Sequence, residues 1–185
     1  MWARTEVLER LGPYKVRPAP ESPPDRWEWG TLNHEGLAGF VAAVDYVAAL
    51  GEPFVADAGT SRRQAIVSAF DAIANHESTL AARFLEGAAA VRGFRLFGIA
   101  DPARLAERTP TFALRLGDTP PRQVAQALAD RGVFVWDGNY YALAIMERLD
   151  LERTGGAVRV GFCHYNTVEE VDRVLREVVR VATLG

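Results

Sequence analysis

Three short stretches of the chain combine residue types that bind small anions. In Asp25-Arg26-Trp27-Glu28-Trp29-Gly30-Thr31-Leu32-Asn33-His34-Glu35-Gly36, a Gly-Thr pair, an asparagine and a histidine stand just before a helix-forming run. Backbone N–H groups at a helix start lack partners within the helix, and the positive end of its dipole favours negative charge, so a phosphate fits there. The same residue types are also the preferred helix caps, and Thr31 or Asn33 as a plain cap is a second physical reading. In Val158-Arg159-Val160-Gly161-Phe162-Cys163-His164, an arginine interrupts an apolar strand. Alternation puts Arg159, Gly161 and Cys163 on one face and Val158, Val160 and Phe162 on the other. A guanidinium beside a small Gly161 suits two-pronged capture of a carboxylate, whereas an edge-strand arginine in a surface ion pair is the alternative. The third stretch, Val135-Trp136-Asp137-Gly138-Asn139-Tyr140-Tyr141, carries a strand end through a turn into a helix. Loops of that kind often hold sites, which makes Asp137, Asn139 and Tyr140 candidates. Asp137 as a turn residue and Tyr140 as a core aromatic are the competing roles.

The rest of the composition narrows the chemistry. Among 21 basic residues only Lys15 is a lysine, so any lysine chemistry must use it. The single cysteine, Cys163, can neither pair within the chain nor build a zinc site, and packing is its expected role. His34, His76 and His164 lack metal-ligand spacing, no metal site is expected, and His76 reads as a helix-surface residue. A formal net charge of -3 gives no basic field for a phosphate backbone, which argues against nucleic acid. Residues 37–50 form the most apolar run, but it is short and contains Asp45, so neither a spanning helix nor a membrane partner is expected. With no signal-peptide core at the start, a cytoplasmic protein is expected.

The elements that must position these residues follow from periodicity. A short helix is predicted over 5–11, then a proline-rich loop through Pro18, Pro20, Pro23 and Pro24. Over 33–51 the positions Leu37, Phe40, Val41, Val44, Val47 and Ala48 recur at helical spacing, with Gly51 placed to end the helix in a left-handed cap. A linker over 51–60 leads to a helix from Ser61 to about Val91, with Ile66, Phe70, Ile73, Leu80, Phe84, Leu85 and Ala88 on one stripe. Such a helix spans on the order of 45 Å, enough to bridge two bodies. Beyond it come strands over 94–99 and 111–116, a helix closed by Gly132, a strand over 133–136, a helix carrying Leu143, Ile145, Met146 and Leu149, a strand over 158–164, and a last helix capped by Thr167 and Glu170. That order predicts an α+β layer of mostly antiparallel sheet with helices on one face.

Arg-Trp-Glu-x-Gly-Thr-x-Asn-His-Glu-Gly over 26–36 and Val-Arg-Val-Gly-x-x-x-Tyr-Asn-Thr-x-Glu-Glu-Val-Asp over 158–172 together resemble the class V aminotransferase and cysteine desulfurase family of pyridoxal-phosphate enzymes. The resemblance covers nearly the whole chain, and residues 135–147 look closest to a cysteine desulfurase-like subgroup with a Trp-Asp-Gly-Asn-Tyr-Tyr stretch. It implies the C-terminal portion of a fold-type I enzyme: 1–60 as the end of the large domain and linker, 61–92 as a bridging helix, and 93–185 as the small C-terminal domain. It implies that Gly30 and Thr31, with Asn33 and His34 beside them, contact the cofactor phosphate of a dimer partner. It also implies that Arg159, with Asp137, Asn139 and Tyr140 near it, binds the carboxylate of a small amino-acid substrate. The family's Schiff-base lysine lies ahead of the matching region, and Lys15 does not match it. The chain alone is therefore expected to be inactive, without covalently bound pyridoxal 5'-phosphate, and to need a homodimer or a missing large domain. The family's sulfur-attacking cysteine would fall within 137–141, where none is present, while Cys163 lies roughly 13 Å along the strand from Arg159. Transamination and β-elimination thus stand beside desulfuration. The alternative function is a non-catalytic dimerisation or binding module derived from the same fold.

Overall fold

The computed structural model describes residues 3–28, 30–55 and 61–184. Part of the predicted linker, residues 56–60, lies outside them. Helix α1 (Thr5–Arg10) leads into the proline-rich loop, where a 3-10 turn spans Asp25–Trp27. Side chains tie that loop down: Lys15 Nζ donates to the Ala19 carbonyl at 2.9 Å and to Glu21 at 2.7 Å, and Trp27 Nε1 donates to the Leu8 carbonyl at 3.4 Å.

Helix α2 (His34–Gly51) starts at Asn33, whose Oδ1 accepts the Gly36 N–H at 2.8 Å. Its end departs from the expected left-handed cap. Gly51 keeps right-handed helical angles, φ -87° and ψ -21°, and the chain continues into a 3-10 turn over Glu52–Phe54. Glycine is required there for another reason: a Cβ would lie 1.8 Å from the Ala65 carbonyl oxygen of the next helix. Helix α3 (Arg62–Ala88) is opened by Ser61 and Gln64 in a reciprocal capping box. Its 27 residues give a length of about 40 Å. Small Ala65 and Ala69, rather than the expected Ile66 and Phe70, form its buried contact toward α2, and Phe70 is exposed. On α2 only Ala48 and Gly51 are buried, while Leu37, Phe40 and Val41 are exposed. By length and composition alone the helical stretch His34–Phe54 is apolar enough to cross a membrane, Asp45 notwithstanding. Asp45 within it is ion-paired to Arg62 of α3.

The sheet has four strands, β1 (Phe94–Phe97), β2 (Thr111–Leu116), β3 (Trp136–Gly138) and β4 (Ala157–Gly161), in the order β1-β2-β4-β3 with every pair antiparallel. Helices α3, α4 (Pro121–Ala129) and α6 (Val168–Leu184) cover one face. The core there is Phe84 of α3 against Phe112 of β2 at 4.3 Å between ring centroids and against Phe162 at 5.6 Å, joined by Leu114, Val158, Val160, Val124, Leu128, Val171 and Val178. These residues follow directly from the alternation of the strands and the 3.6 period of the helices. Helix α6 begins as expected, with Thr167 N–H donating to Glu170 at 2.9 Å and Glu170 N–H to Thr167 Oγ1 at 3.3 Å. The Thr167 N–H and the Asn166 amide hold the Glu170 carboxyl below the usual range.

Helices on one face alone is not the arrangement found. Short α5 (Leu143–Arg148) lies across the opposite face, where Met146 and Leu151 pack on Ala157 with Phe97, Ala113, Tyr140 and Leu149. The strand expected over 133–136 is displaced to Trp136–Gly138. Asp137 and Gly138 thus belong to the sheet edge, and the turn comes after them.

Candidate functional site

Arg159 occupies an inner strand, flanked in register by Trp136 of β3 and Ala113 of β2. Its neighbours along β4, Val158 and Val160, are buried in the helix-covered core, so alternation turns Arg159 to the other face. There its guanidinium carbon lies 5.0 Å from the centroid of the Tyr140 ring, within range for a cation–π contact. Among the described residues no carboxylate stands within ion-pair distance of it. The edge-strand ion-pair role is therefore not the one it has. A charged, exposed guanidinium over an aromatic ring, with no carboxylate beside it among the described residues, leaves its forked N–H groups to an external acceptor.

Tyr140 is placed by an unusual loop. Gly138, Tyr140 and Tyr141 all have positive φ, 113°, 55° and 59°, and two consecutive non-glycine residues in the left-handed region carry strain that the surroundings must hold. Three contacts do so. The Tyr140 hydroxyl donates to the Ala157 carbonyl, Asn139 Oδ1 accepts the Tyr141 N–H at 3.1 Å, and Asn139 Nδ2 donates to Glu152 at 3.2 Å. Gly156 lets the loop lie down, since a Cβ there would meet the Gly138 carbonyl oxygen at 2.1 Å. Burial raises the Tyr140 phenol above its ordinary pKa, more than the Arg159 charge lowers it, so it stays a neutral donor.

Of the four residues expected to meet a substrate, the structure thus joins Arg159 and Tyr140. Asp137 sits opposite Val158, on the helix-covered side, and accepts from Arg122 of α4 at 3.2 Å. Asn139 spends its amide on the loop itself. Along the β3 edge and the loop after it, a hollow of about 320 Å³ is lined by Trp136, Asp137, Tyr140, Tyr141, Glu152 and Gly155, without Arg159 in its wall. Trp136, 63% exposed and beside Arg159, was not singled out from the sequence. Its register opposite the strand arginine is the signal that identifies it, and that register is set by the sheet rather than by the local motif.

At the other candidate, Gly30, Thr31 and His34 are exposed ahead of and at the start of α2, and no heavy atom lies within 4 Å of a Cβ built on Gly30. Asn33 takes the capping role. The open Gly-Thr pair at the N-terminus of an 18-residue helix suits an anion arriving from outside. Among the described residues no cluster of potential metal ligands occurs.

Two histidines join the halves of the chain. His164, just past β4, shares a 2.8 Å hydrogen bond with the Tyr46 hydroxyl of α2. His76 of α3 is no simple surface residue, because its Nε2 donates to the Asn166 carbonyl at 2.8 Å. Cys163 is a free, half-buried thiol whose N–H is held by Asn166.

The family model for aminotransferase class-V matches residues 16–174. The chain is 32% identical to a probable cysteine desulfurase of Mycolicibacterium paratuberculosis over 89% of its length and 20% of that protein's. It is 30% identical to probable cysteine desulfurase 2 of Mycobacterium leprae over 97% of its length and 40% of that protein's. It spans two fifths or less of the length of these curated relatives. Among solved structures, the apo cysteine desulfurase of Thermococcus onnurineus superposes with a TM-score of 0.68 at 25% identity, over 89% of this chain and 35% of that one. A cysteine desulfurase of Escherichia coli superposes with a TM-score of 0.73 at 23% identity, over 99% of this chain and 42% of that one.

Proposed function

Because the chain belongs to the class V aminotransferase family, we propose that it serves as the part of a pyridoxal-phosphate enzyme that grips a small amino acid by its carboxylate through Arg159 and reaches a cofactor phosphate through Gly30 and Thr31. Enzymes of this family depend on pyridoxal phosphate, which when bound withdraws electrons from the substrate's α-carbon. The observation that carries the proposal is the geometry of Arg159, stacked on Tyr140 and without a carboxylate partner among the described residues. Arg159 orients the substrate carboxylate, Tyr140 backs the guanidinium, and Trp136 shields it on the β3 side. Asp137 and Asn139 act one step removed, by fixing the loop that presents Tyr140. His34 adds a polar group beside the phosphate contact, and Asn33 rigidifies it as the helix cap.

Within this reading residues 93–185 correspond to the small C-terminal domain of the fold-type I architecture, 61–92 to the helix that bridges to the large domain, and 1–60 to the end of that domain. Lys15 does not fit the Schiff-base role, because Glu21 and the Ala19 carbonyl hold its ammonium in the proline-rich loop. In this reading the reacting lysine belongs to the large domain, outside these 185 residues. The working environment is cytoplasmic, and the apolar face of α2 meets protein rather than lipid. That same exposed face supports one second reading, a dimerisation module without catalysis of its own.

The test uses the phosphopyridoxyl adduct of alanine, a stable mimic carrying both the phosphate and the carboxylate. Arg159→Lys replaces a planar fork with a point charge and is expected to weaken its binding by about tenfold. Equal affinity in wild type and variant sinks the carboxylate role. A visible absorbance with pyridoxal phosphate that disappears in Lys15→Arg, accompanied by turnover, would show that the chain supplies its own lysine.

A further inference from the structure

We propose that the groove between α5 and the β1–β2 side of the sheet binds an apolar chain ending in a carboxylate, with the carboxylate against Arg95. This goes beyond the pyridoxal-phosphate reading and does not depend on it. The groove has a volume of about 450 Å³ and is walled by Phe97, Ala113, Ile145, Met146, Leu149 and Ala157. That size lies within the range of small-molecule sites, the walls are apolar, and a methionine in such a wall adapts to a flexible chain.

Its polarity is one-sided. Arg95 stands at the rim, with its guanidinium 4.8 Å from the Phe97 centroid, and among the described residues it has no carboxylate partner. Directly across the ladder in register is Arg115, whose Nη1 is occupied by the Thr154 and Gly156 carbonyls at 3.2 and 2.9 Å rather than by an acid. Like charges directly opposite on one sheet face are unfavourable, and an anion at this rim offsets the repulsion. On the far side of the 147–153 segment acids outnumber bases: Leu149 and Leu151 face the groove, while Glu147, Asp150 and Glu152, with a single base, Arg153, line a separate hollow. An anionic head is repelled from that end and attracted to the arginine end, which fixes the direction in which the ligand lies.

The probes are decanoate, decanol and decylamine, each titrated calorimetrically into the full chain below its aggregation concentration. Decanoate is expected to bind saturably, one per chain, at least about tenfold more tightly than decylamine. Arg95→Glu, on an exposed edge-strand position, is expected to weaken decanoate by about tenfold or more and to leave decanol unchanged. Ile145→Trp, at a 58% exposed wall residue, is expected to fill the groove and abolish binding of decanoate and decanol with an unaltered circular dichroism spectrum. Non-saturable decanoate uptake, equal affinity for all three probes, decanoate binding unaffected by Arg95→Glu, or saturable binding of an apolar peptide without decanoate overturns the proposal. None of these outcomes bears on the Arg159 test, which reads a different side chain and a different ligand.

Discussion

Phe84 and Phe40 are both phenylalanines on long helices, one near the end of α3 and the other near the start of α2, yet Phe84 is fully buried and Phe40 is 70% exposed. Around Phe84 every apolar surface meets another: three rings surround it, and the strands and α6 close the remaining sides. Around Phe40 the same kind of surface, with Leu37 and Val41, has no cover among the described residues. Periodicity marks an apolar stripe equally well in both places, because the stripe is a property of the helix. What covers the stripe is a property of the fold, and among the described residues only the sheet half contains its own cover. An exposed apolar stripe of this kind marks a surface that a further body of protein is expected to occupy.

The sharpest way to break that contrast is to truncate both rings. Phe84→Ala is expected to destabilise the sheet half by about 3–5 kcal/mol in denaturant unfolding, the usual cost of emptying a packed aromatic site. Phe40→Ala is expected to change stability by no more than about 0.5 kcal/mol, as surface substitutions do, while reducing self-association measured by light scattering. A comparable loss of stability at Phe40 would mean that α2 is covered in solution.

The difference between the halves also sets how much could be read in advance. The faces of β4 were legible because alternation acts on contiguous residues. So was the Thr167–Glu170 cap, whose spacing is its own signature. Arg159 could be recognised as out of place in an apolar strand, but its seat on Tyr140 depends on a left-handed loop at Tyr140 and Tyr141 that no local preference of tyrosine predicts. Asp137, a site candidate with a turn residue as the competing role, belongs instead to β3 for a related reason: the strand begins three residues later than its apolar run suggests, because pairing with β4 and not hydrophobicity fixes its extent. On α3 the helical stripe points to the large Ile66 and Phe70, while the contact with α2 is made by Ala65 and Ala69, whose smallness is what allows close approach.

That close approach gives the second prediction. In Gly51→Ala a methyl would overlap the Ala65 carbonyl, a backbone atom that cannot rotate away. Overpacking of this kind costs typically about 1–3 kcal/mol. Because the clash lies between α2 and α3, its effect is expected in hydrogen exchange as lost protection of α2, with the exchange of β2 and β4 unchanged. Equal loss of protection in the strands would show that the two halves unfold as one unit.

The smallest expected effect tests whether the halves are coupled at the candidate site. Tyr46 on α2 and His164, five residues after Arg159 in the chain, share the 2.8 Å hydrogen bond that joins the apolar helix to the turn following the arginine strand. Tyr46→Phe removes the hydroxyl and keeps the ring, which lies 5.8 Å from the imidazole between centroids. A hydrogen bond with access to water contributes about 0.5–1.5 kcal/mol, so α2 is expected to lose protection modestly while the sheet keeps its own. If the turn also helps position Arg159, the same variant weakens binding of the phosphopyridoxyl adduct with no change in sheet stability. Unchanged binding assigns the Tyr46–His164 contact to helix docking alone, and leaves Arg159 to be positioned by its ladder partners and by Tyr140.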